Sequence, residues 1–355
     1  MIHPLAAVTL LAAILASPAL AQSAPAPAKP ALKGAAKVRA DAEALAPLFP
    51  DGPARRFITA ATTPEAVPTV GPRVLAYKKE TRQWLTLEEA NRLPVVEKTN
   101  WNETPCDETQ YYETKYGSPL VYARVIEVAQ AHGFDPQPPS DTPTAVMDFG
   151  YGTIGHLLIM GAMGIEPTGI DVDHFLEKIY APERAAGRIK CLDARNSVAV
   201  NLINGQWPAQ PEIADQVRKI RPQGFDLITS KNTLKNGYLH PTQPVDDRKL
   251  VKLGVSDNAF VNALFDALRP GGLLVIYNIS PRPSRGTEPY KPWADGRSPF
   301  SKEMLTRAGF EVLAFDEVDD QKAESIFTTL GYPITDSNGE KDLFALFTVC
   351  RRPPQ

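Results

Sequence analysis

The second half of the chain alternates short apolar runs with amphipathic segments. The runs "TAVMDF", "PTGIDV", "RIKCLD", "FDLITS" and "LLVIYN" predict five strands, and helical patterns such as "IGHLLIMGAMG" and "DNAFVNALFDAL" lie between several of them. Strands separated by helices are joined by right-handed crossovers, which give a parallel sheet covered on both faces. The pattern therefore predicts an α/β, Rossmann-like, doubly wound domain.

Two further runs complete the predicted sheet near the carboxyl terminus. "EVLAFDE" and "LFALFTVC" are strand-like and bring the predicted sheet to seven strands. No full helical pattern separates them, and parallel neighbours need a long crossover connection. The last strand of this mostly parallel sheet is therefore predicted to be antiparallel.

The amino terminus has the pattern of an export signal. Residues 5–16 are apolar, and residues 19–21 have small side chains at the first and third positions. This arrangement predicts a signal peptide cleaved before Gln22. The apolar run is shorter than a membrane span of roughly 20 residues. We therefore expect a periplasmic or secreted protein with no stable membrane insertion after cleavage.

Composition divides the rest of the chain before the predicted sheet. An Ala/Pro-rich stretch is typical of an extended linker, and a later segment contains a predicted hairpin that runs into a short helix. The predicted organisation is a signal peptide at 1–21, a linker at 22–50, an N-terminal extension at 51–107 and a main domain at 108–355.

Charge and cysteine content exclude some classes of function. The net charge is −3 and the pI about 6.0, so the totals show no basic footprint for nucleic acid. Cys106, Cys191 and Cys350 form no CxxC pair, and no metal-ligand spacing is present. We therefore expect a small-molecule partner, no nucleic acid and no metal.

A glycine-rich turn follows the first predicted strand, in "MDFGYGTIGHLL". The spacing of Gly150, Gly152 and Gly155 matches a dinucleotide fingerprint, which alone is a weak signal. A pyrophosphate binds at a helix N-terminus, where the carboxylate of Asp148 would repel it. The same carboxylate would favour a cationic ligand. An NAD-dependent oxidoreductase stays an alternative.

Five motifs follow one another in order along the chain, which are "DFGYG", "GIDVD", "CLDAR", "FDLITSKNTL" and "LRPGGLLVIYN". They carry a resemblance, over residues 108–350, to the class I S-adenosylmethionine-dependent methyltransferases. It implies S-adenosyl-L-methionine as the cofactor, with Asp171 holding the ribose hydroxyls and Asp193 accepting from the adenine amino group. Asp173 competes for the ribose role, and Asp171 or Asp193 could instead cap a helix.

The resemblance also implies a wider set of contacts. The predicted cofactor-binding residues are Asp148, Gly150, Tyr151, Gly152, Asp171, Val172, Asp193, Ala194, Ser230, Asn232 and Tyr116. Tyr116 belongs to "YYETKYGSP", which is interpreted either as a lid over the cofactor or as a loop packed on the domain.

Acceptor-side residues are expected after the fourth and fifth strands. Lys231 is a candidate to contact a carboxylate, or it simply pairs with a nearby acid. His240 is a candidate general base, or it is an ordinary loop residue. The loop at 280–300 carries four basic residues together with Tyr290 and Trp293. These side chains suit an anionic or aromatic acceptor, or they simply form a solvated loop.

The predicted function is methyl transfer to a small-molecule acceptor, which the sequence does not identify. Export makes a second class of function plausible, because S-adenosylmethionine is made in the cytoplasm. The alternative is a non-catalytic, exported nucleoside- or ligand-binding protein on a methyltransferase scaffold.

Overall fold

The computed structural model describes residues 32–114, 117–136, 143–190 and 197–354. Its strands are β1 Arg73–Lys78, β2 Gln83–Thr86, β3 Asn102–Cys106, β4 Ala145–Phe149, β5 Glu166–Asp171, β6 Arg188–Lys190, β7 Ser197–Ala199, β8 Asn201–Asn204, β9 Phe225–Lys231, β10 Leu268–Ser280, β11 Glu311–Val318 and β12 Phe344–Arg351. Its α-helices are α1 Gly34–Leu45, α2 Pro53–Ala61, α3 Leu87–Asn91, α4 Val95–Lys98, α5 Glu108–Tyr112, α6 Tyr122–Ala131, α7 Gly155–Ala162, α8 His174–Ile179, α9 Ala181–Ala186, α10 Pro211–Ile220, α11 Asn236–Leu239, α12 Asp257–Ala267, α13 Lys302–Arg307 and α14 Asp320–Thr329.

The main sheet has seven strands in the order β11-β12-β10-β9-β4-β5-β8. Adjacent pairs from β8 to β10 are parallel, whereas β12 runs antiparallel to both β10 and β11. The predicted mostly parallel sheet with an antiparallel last strand is confirmed. The strand order reverses at β4, which lies between β9 and β5. Such a reversal is a topological switch point, and ligands of open α/β sheets bind there, beyond the carboxyl ends of the strands.

Two hydrophobic cores lie on opposite faces of this sheet. Successive strand residues point to alternate faces, and this alternation separates the two cores along each central strand. Val146, Leu227 and Val275 belong to one core, and Met147, Ile228 and Leu274 belong to the other. None of the described helices is long and apolar enough to cross a membrane.

The third strand of the sheet differs from the prediction. "RIKCLD" begins as β6, which pairs antiparallel with β7 in a separate two-stranded hairpin, and the main sheet continues instead through β8. In β8, Leu202 and Ile203 are buried, but they form an apolar run of only two residues. Asp193 lies outside the described residues, so its assignment to adenine stays a prediction.

Residues 34–50 also differ from the predicted linker. They form α1 and a 3₁₀ turn, and Val38, Ala42 and Leu45 are buried in the same core as the sheet. Because alanine has the highest helix propensity, an Ala-rich segment folds as a helix once it has a surface to pack on. The hairpin predicted in the extension is confirmed as β1 and β2.

A helix that the sequence pattern did not predict lies between β11 and β12. Helix α14 has ten residues, of which only Ala323 and Ile326 are buried. Its apolar stripe is too narrow to stand out in the sequence.

Candidate functional site

Two glycines form the turn that leaves β4 at the switch point of the sheet. Gly150 has φ +77° and Gly152 has φ +60°, a region that favours glycine because it has no Cβ. The Gly150 amide donates to the Ile170 carbonyl at 2.8 Å. A Cβ on Gly150 would lie 2.1 Å from Thr233 Oγ1. The turn is therefore held tightly between β5 and the segment after β9.

Asp171 ends β5 next to this turn. Its Oδ2 accepts from the Gly152 amide at 3.2 Å, and its Oδ1 accepts from the Asp173 amide at 2.9 Å. Each oxygen keeps a lone pair for a further donor. Burial raises the pKa of Asp171 to about 6, although the backbone donors oppose the shift. The neighbouring Val172 is 60% exposed and presents an apolar surface beside the carboxylate.

Asp173, the competing candidate for a ribose contact, caps a helix. Its side chain accepts from the Phe175 amide at 2.9 Å at the start of α8. Asp residues are preferred at this position because they satisfy a free backbone donor. Of the two carboxylates, Asp171 is the one at the end of the strand.

Asp148 requires a correction, because its side chain is hydrogen-bonded inside the protein. The carboxylate is fully buried. Its Oδ2 accepts from the Tyr122 hydroxyl at 2.6 Å and pairs with His156 Nε2 at 2.8 Å, and its Oδ1 accepts from Thr229 Oγ1 at 2.6 Å. The Asp148 side chain therefore connects structural elements below the turn and faces no open space.

The His156 ring in this cluster lies parallel to the Tyr122 ring, with the centroids 3.5 Å apart. Burial lowers the pKa of His156, against the opposing effect of Asp148. Lys231 Nζ lies 5.3 Å from the centroid of the Tyr122 ring. We call Tyr122, Asp148, His156 and Thr229 the buried polar cluster.

The start of α7 is covered by other parts of the chain. Thr153 Oγ1 donates to the Tyr112 carbonyl at 2.5 Å. A Cβ on Gly155 would lie 2.9 Å from the side chain of Pro119. Thr153 and Ile154 are buried. No open helix N-terminus remains here of the kind that receives a pyrophosphate.

A cavity of 310 Å³ lies at the carboxyl ends of β9 and β10. We call it the β9/β10 cavity. Lys231 and Asn232 line it, whereas the buried Ser230 does not and instead accepts from the Leu234 amide at 3.3 Å. Ser230, predicted to contact the cofactor, thus has a structural role in the turn after β9. The other lining residues are Gly117, Ser118, Val121, Ile279, Ser280, Pro281, Phe327, Tyr332, Pro333, Asp342 and Leu343.

Two lysines near this cavity have pKa values below the ordinary range. Burial lowers the pKa of Lys231 to about 8, and Asp148 opposes the shift. Burial, together with the charge of Lys231, lowers the pKa of Lys235 to about 7. Lys235 Nζ donates to the Ser280 hydroxyl and the Trp293 carbonyl, each at 3.2 Å, and to the Ile279 carbonyl.

His240, the predicted general base, lies away from this cavity. It is an exposed residue whose Nε2 lies 3.0 Å from Asp257 Oδ2, and it does not line the β9/β10 cavity. It is therefore not placed to act on a molecule bound in that cavity.

The basic residues of the 280–300 loop are paired with carboxylates. Arg282 binds Glu288 at 2.7 Å and Asp336 at 3.2 Å, and Arg297 binds Asp295 at 2.7 Å. Arg285 pairs with Glu340, and Lys291 lies 3.8 Å from Glu288. These pairs favour the solvated-loop interpretation, because each cation already has an anionic partner.

Some predicted residues lie in the core or outside the described residues. Tyr151 is 3% exposed, and its ring packs near Tyr180, so its side chain is not available to a ligand. Tyr116, Asp193 and Ala194 lie outside the described residues, as do Lys115, Cys191 and the predicted signal peptide.

The part of the chain that the structure describes contains neither a metal site nor a reactive thiol. There, no group of three His, Cys, Asp or Glu side chains is placed to hold a metal ion. Cys106 and Cys350 are buried free thiols, and burial raises the pKa of both. A raised pKa disfavours the reactive thiolate, so packing accounts for these two residues.

Sequence reasoning missed most of the cavity wall. Val121, Leu343 and the neighbouring pair Phe327 and Tyr332 come from three separate segments and meet only in the fold. Each looks like an ordinary core residue in the sequence. The single available signal was the position of Lys231 at the end of a strand.

The fold has the sheet arrangement that the resemblance to class I methyltransferases implies. Neither a protein-family model nor a curated protein sequence matches the chain. Several solved structures are similar in outline. The [4+2]-cyclase SpnF is 17% identical with a TM-score of 0.37, and the match covers 66% of this chain and 83% of that one.

Two methyltransferase structures show comparable similarity. A phosphoethanolamine N-methyltransferase 2 from Haemonchus contortus, in complex with S-adenosyl-L-methionine, is 13% identical with a TM-score of 0.37, covering 80% of this chain and 68% of that one. A sarcosine dimethylglycine methyltransferase from Galdieria sulphuraria is 11% identical with a TM-score of 0.33, covering 64% and 83%. Similarity at this level carries no argument about ligand or reaction, so the function is argued from the site itself.

Proposed function

We propose that this chain is a methyltransferase that binds S-adenosyl-L-methionine beyond β4 and β5 and transfers its methyl group to a small-molecule acceptor. The observation that carries the proposal is the Gly152–Asp171 hydrogen bond, which fixes a carboxylate beside a glycine turn at the switch point of the sheet. Asp171 has free acceptor capacity for two ribose hydroxyls, and Val172 offers an apolar surface to a base.

The covered start of α7 favours this cofactor over NAD. A dinucleotide places its pyrophosphate on a helix N-terminus, and here Tyr112 and Pro119 occupy that position. S-adenosylmethionine has no phosphate and needs no such site. The covered start of α7, and not the enclosed Asp148 carboxylate, is therefore the feature that disfavours a pyrophosphate.

In methyl transfer, the main task of the protein is to orient the cofactor and the acceptor. The bound cofactor would supply a methyl group on a sulfonium, whose positive charge disappears in the reaction. Orientation of reactants supplies much of the acceleration in such displacements. The β9/β10 cavity adjoins the proposed cofactor site, since Lys231 and Asn232 follow the strand next to β4. We assign it as the acceptor site.

Calorimetric titration of the purified chain with S-adenosylmethionine, S-adenosylhomocysteine and NAD tests the proposal. We expect binding of the first two and none of NAD. Asp171→Asn should weaken that binding at least about tenfold, because one acceptor oxygen becomes a donor. Asp173→Asn is the matched control, since Asn also caps helices. NAD binding, or equal effects of both substitutions, would contradict the proposal.

We also propose export, with residues 1–21 as the signal peptide. Cell fractionation and intact-mass measurement should find a mature chain that begins at Gln22 outside the cytoplasm. A cytoplasmic chain that retains residues 1–21 would contradict export. An exported chain that binds the cofactor but transfers no methyl group to any of a broad set of acceptors would favour the non-catalytic alternative.

A further inference from the structure

We propose that the β9/β10 cavity selects a small monoanionic acceptor, whose carboxylate contacts Lys231 and Asn232 and whose apolar body contacts the opposite wall. The assignment of this molecule as the methyl acceptor rests on the proposed function, whereas the binding chemistry rests on the cavity alone. The inference starts from a cation that has no anionic partner within bonding distance.

Lys231 is 8% exposed and lines the cavity. Among the described residues, its Nζ makes no hydrogen bond and no ion pair. It makes a cation–π contact with the Tyr122 ring. The nearby Asp148 is occupied by three other donors. Removing an ammonium from water without a partner is costly. An anion that enters the cavity therefore gains a contact that the empty site lacks.

Asn232 supplies a second donor beside this ammonium. Its φ is +64°, and its backbone amide donates to the Tyr277 carbonyl at 3.0 Å. Its Oδ1 accepts from the Ile279 amide at 2.7 Å. Since Oδ1 is fixed in this way, the side-chain nitrogen is the part of the amide left for a ligand. Two donors on adjacent residues match the two oxygens of a carboxylate.

The rest of the cavity limits the charge of the ligand. Lys235, the other nearby cation, already donates to three protein oxygens. The half-buried Asp342 lines the same cavity and adds a negative charge to its wall. Among the described lining residues, one free cation and one carboxylate together disfavour a dianion such as a phosphate monoester. A monoanionic carboxylate therefore suits the site better.

The size and lining of the cavity indicate the body of the ligand. A volume of 310 Å³ lies at the lower end of small-molecule sites. Val121, Ile279, Phe327 and Leu343 provide an apolar wall. A flat or branched apolar group of about the size of a benzene ring is compatible with that wall.

Benzoate and the neutral benzamide test the proposal as matched probes. NMR or calorimetric titration of the full-length chain, without cofactor, should show benzoate binding at least about tenfold tighter than benzamide. Lys231→Met should abolish that preference and leave benzamide binding unchanged. Lys252→Met is the control, because Lys252 is exposed and pairs with Asp247. Equal binding of the two probes, no binding of either, tighter binding of phenyl phosphate than of benzoate, or a preference that survives Lys231→Met would overturn the proposal.

A second measurement does not depend on the folding of the Lys231→Met variant. Reductive methylation of the wild-type chain, followed by peptide mass analysis, should label Lys231 several-fold less in the presence of benzoate than of benzamide. Equal labelling would contradict the contact. S-adenosylhomocysteine binding is measured separately. If it fails while benzoate discrimination holds, the proposed function fails and the anion site stands, whereas the reverse result leaves the cofactor site and removes this acceptor.

Discussion

At the scale of single residues, Asp171 places a carboxylate with a raised pKa at the end of β5, where we propose that the cofactor binds. Its raised pKa means that the apo protein holds the charged form at a cost that two backbone donors only partly offset. Hydroxyl donors on a ligand would stabilise the charged form further. In the proposed site, nucleoside binding would therefore be linked to the protonation of Asp171 in the weakly acidic range.

This link predicts that the binding of S-adenosylhomocysteine, the demethylated form of the cofactor, depends on pH. Ribose hydroxyls donate to the ionised carboxylate, so affinity should rise as pH increases through the Asp171 pKa of about 6. Calorimetric titration with S-adenosylhomocysteine should show about a tenfold gain between about pH 5 and about pH 7. Asp171→Asn should remove the dependence. A wild-type affinity that is flat over this range would contradict the role of Asp171.

Gly150 gives a second prediction at this scale. Gly150→Ala should lower the free energy of unfolding by more than about 2 kcal/mol, because a Cβ would meet Thr233 in addition to the strain of positive φ. Gly339→Ala is the control, since Gly339 has φ +78° with no atom within 4 Å of the added Cβ. Urea denaturation of both variants measures the difference. Equal losses would show that the close approach to Thr233 does not matter.

At the scale of elements, the buried polar cluster joins parts of the fold that are distant in the sequence. Asp148 lies on β4, Tyr122 on α6, His156 on α7 and Thr229 on β9. Buried hydrogen bonds to a charged group are stronger than neutral ones and costly to leave unmade. The cluster therefore fixes how α6 and α7 meet the strands that carry the site.

We predict that Tyr122→Phe destabilises the fold without disturbing the contact of the ring with Lys231. Loss of one hydroxyl donor to the buried carboxylate should cost about 2 kcal/mol in the free energy of unfolding. Tyr290→Phe is the control, because the Tyr290 hydroxyl accepts an exposed hydrogen bond from the Thr242 amide. We expect this substitution to change the free energy of unfolding by less than about 0.5 kcal/mol. Chemical denaturation compares the two. Similar small losses would mean that the cluster contributes little.

The elements also show which predictions the sequence can support. Strands with long apolar runs, such as β9 and β10, were predicted because their pattern is sufficient in itself. Strand β8 was missed because only two of its residues are apolar, and its pairing with β5 is a tertiary contact. In the candidate site, the prediction for Asp171 comes from the resemblance, which implies an acid at the end of the second strand. The enclosure of Asp148 depends on Tyr122 and Thr229, which no local pattern connects to it.

At the scale of the whole molecule, residues from Lys33 to the carboxyl terminus form one compact unit. The first helices contribute to the core on one face of the sheet, with Val38 and Phe57 wholly buried beside residues of α6 and α7. The N-terminal extension is thus part of the same folded body as the candidate site. Its contacts therefore stabilise the domain that carries the candidate site.

Two truncations test this integration. Removal of residues 1–31 should leave the melting temperature unchanged, because all the core residues that the structure describes lie after that point. Removal of residues 1–50 deletes α1 and exposes apolar surface, and it should lower the melting temperature by more than about 10 °C or abolish folding. Circular dichroism melts compare the two chains. A stable chain lacking residues 1–50 would show that α1 is dispensable.

The central claim is that a nucleoside with a sulfonium tail binds where the glycine turn meets Asp171. A crystal structure of the chain with S-adenosylhomocysteine tests it most directly. We predict ribose hydroxyls within hydrogen-bond distance of Asp171, the base against Val172 and the sulfur directed toward Lys231 and the β9/β10 cavity. Adenosine bound at another edge of the sheet, or a ribose without contact to Asp171, would contradict the account.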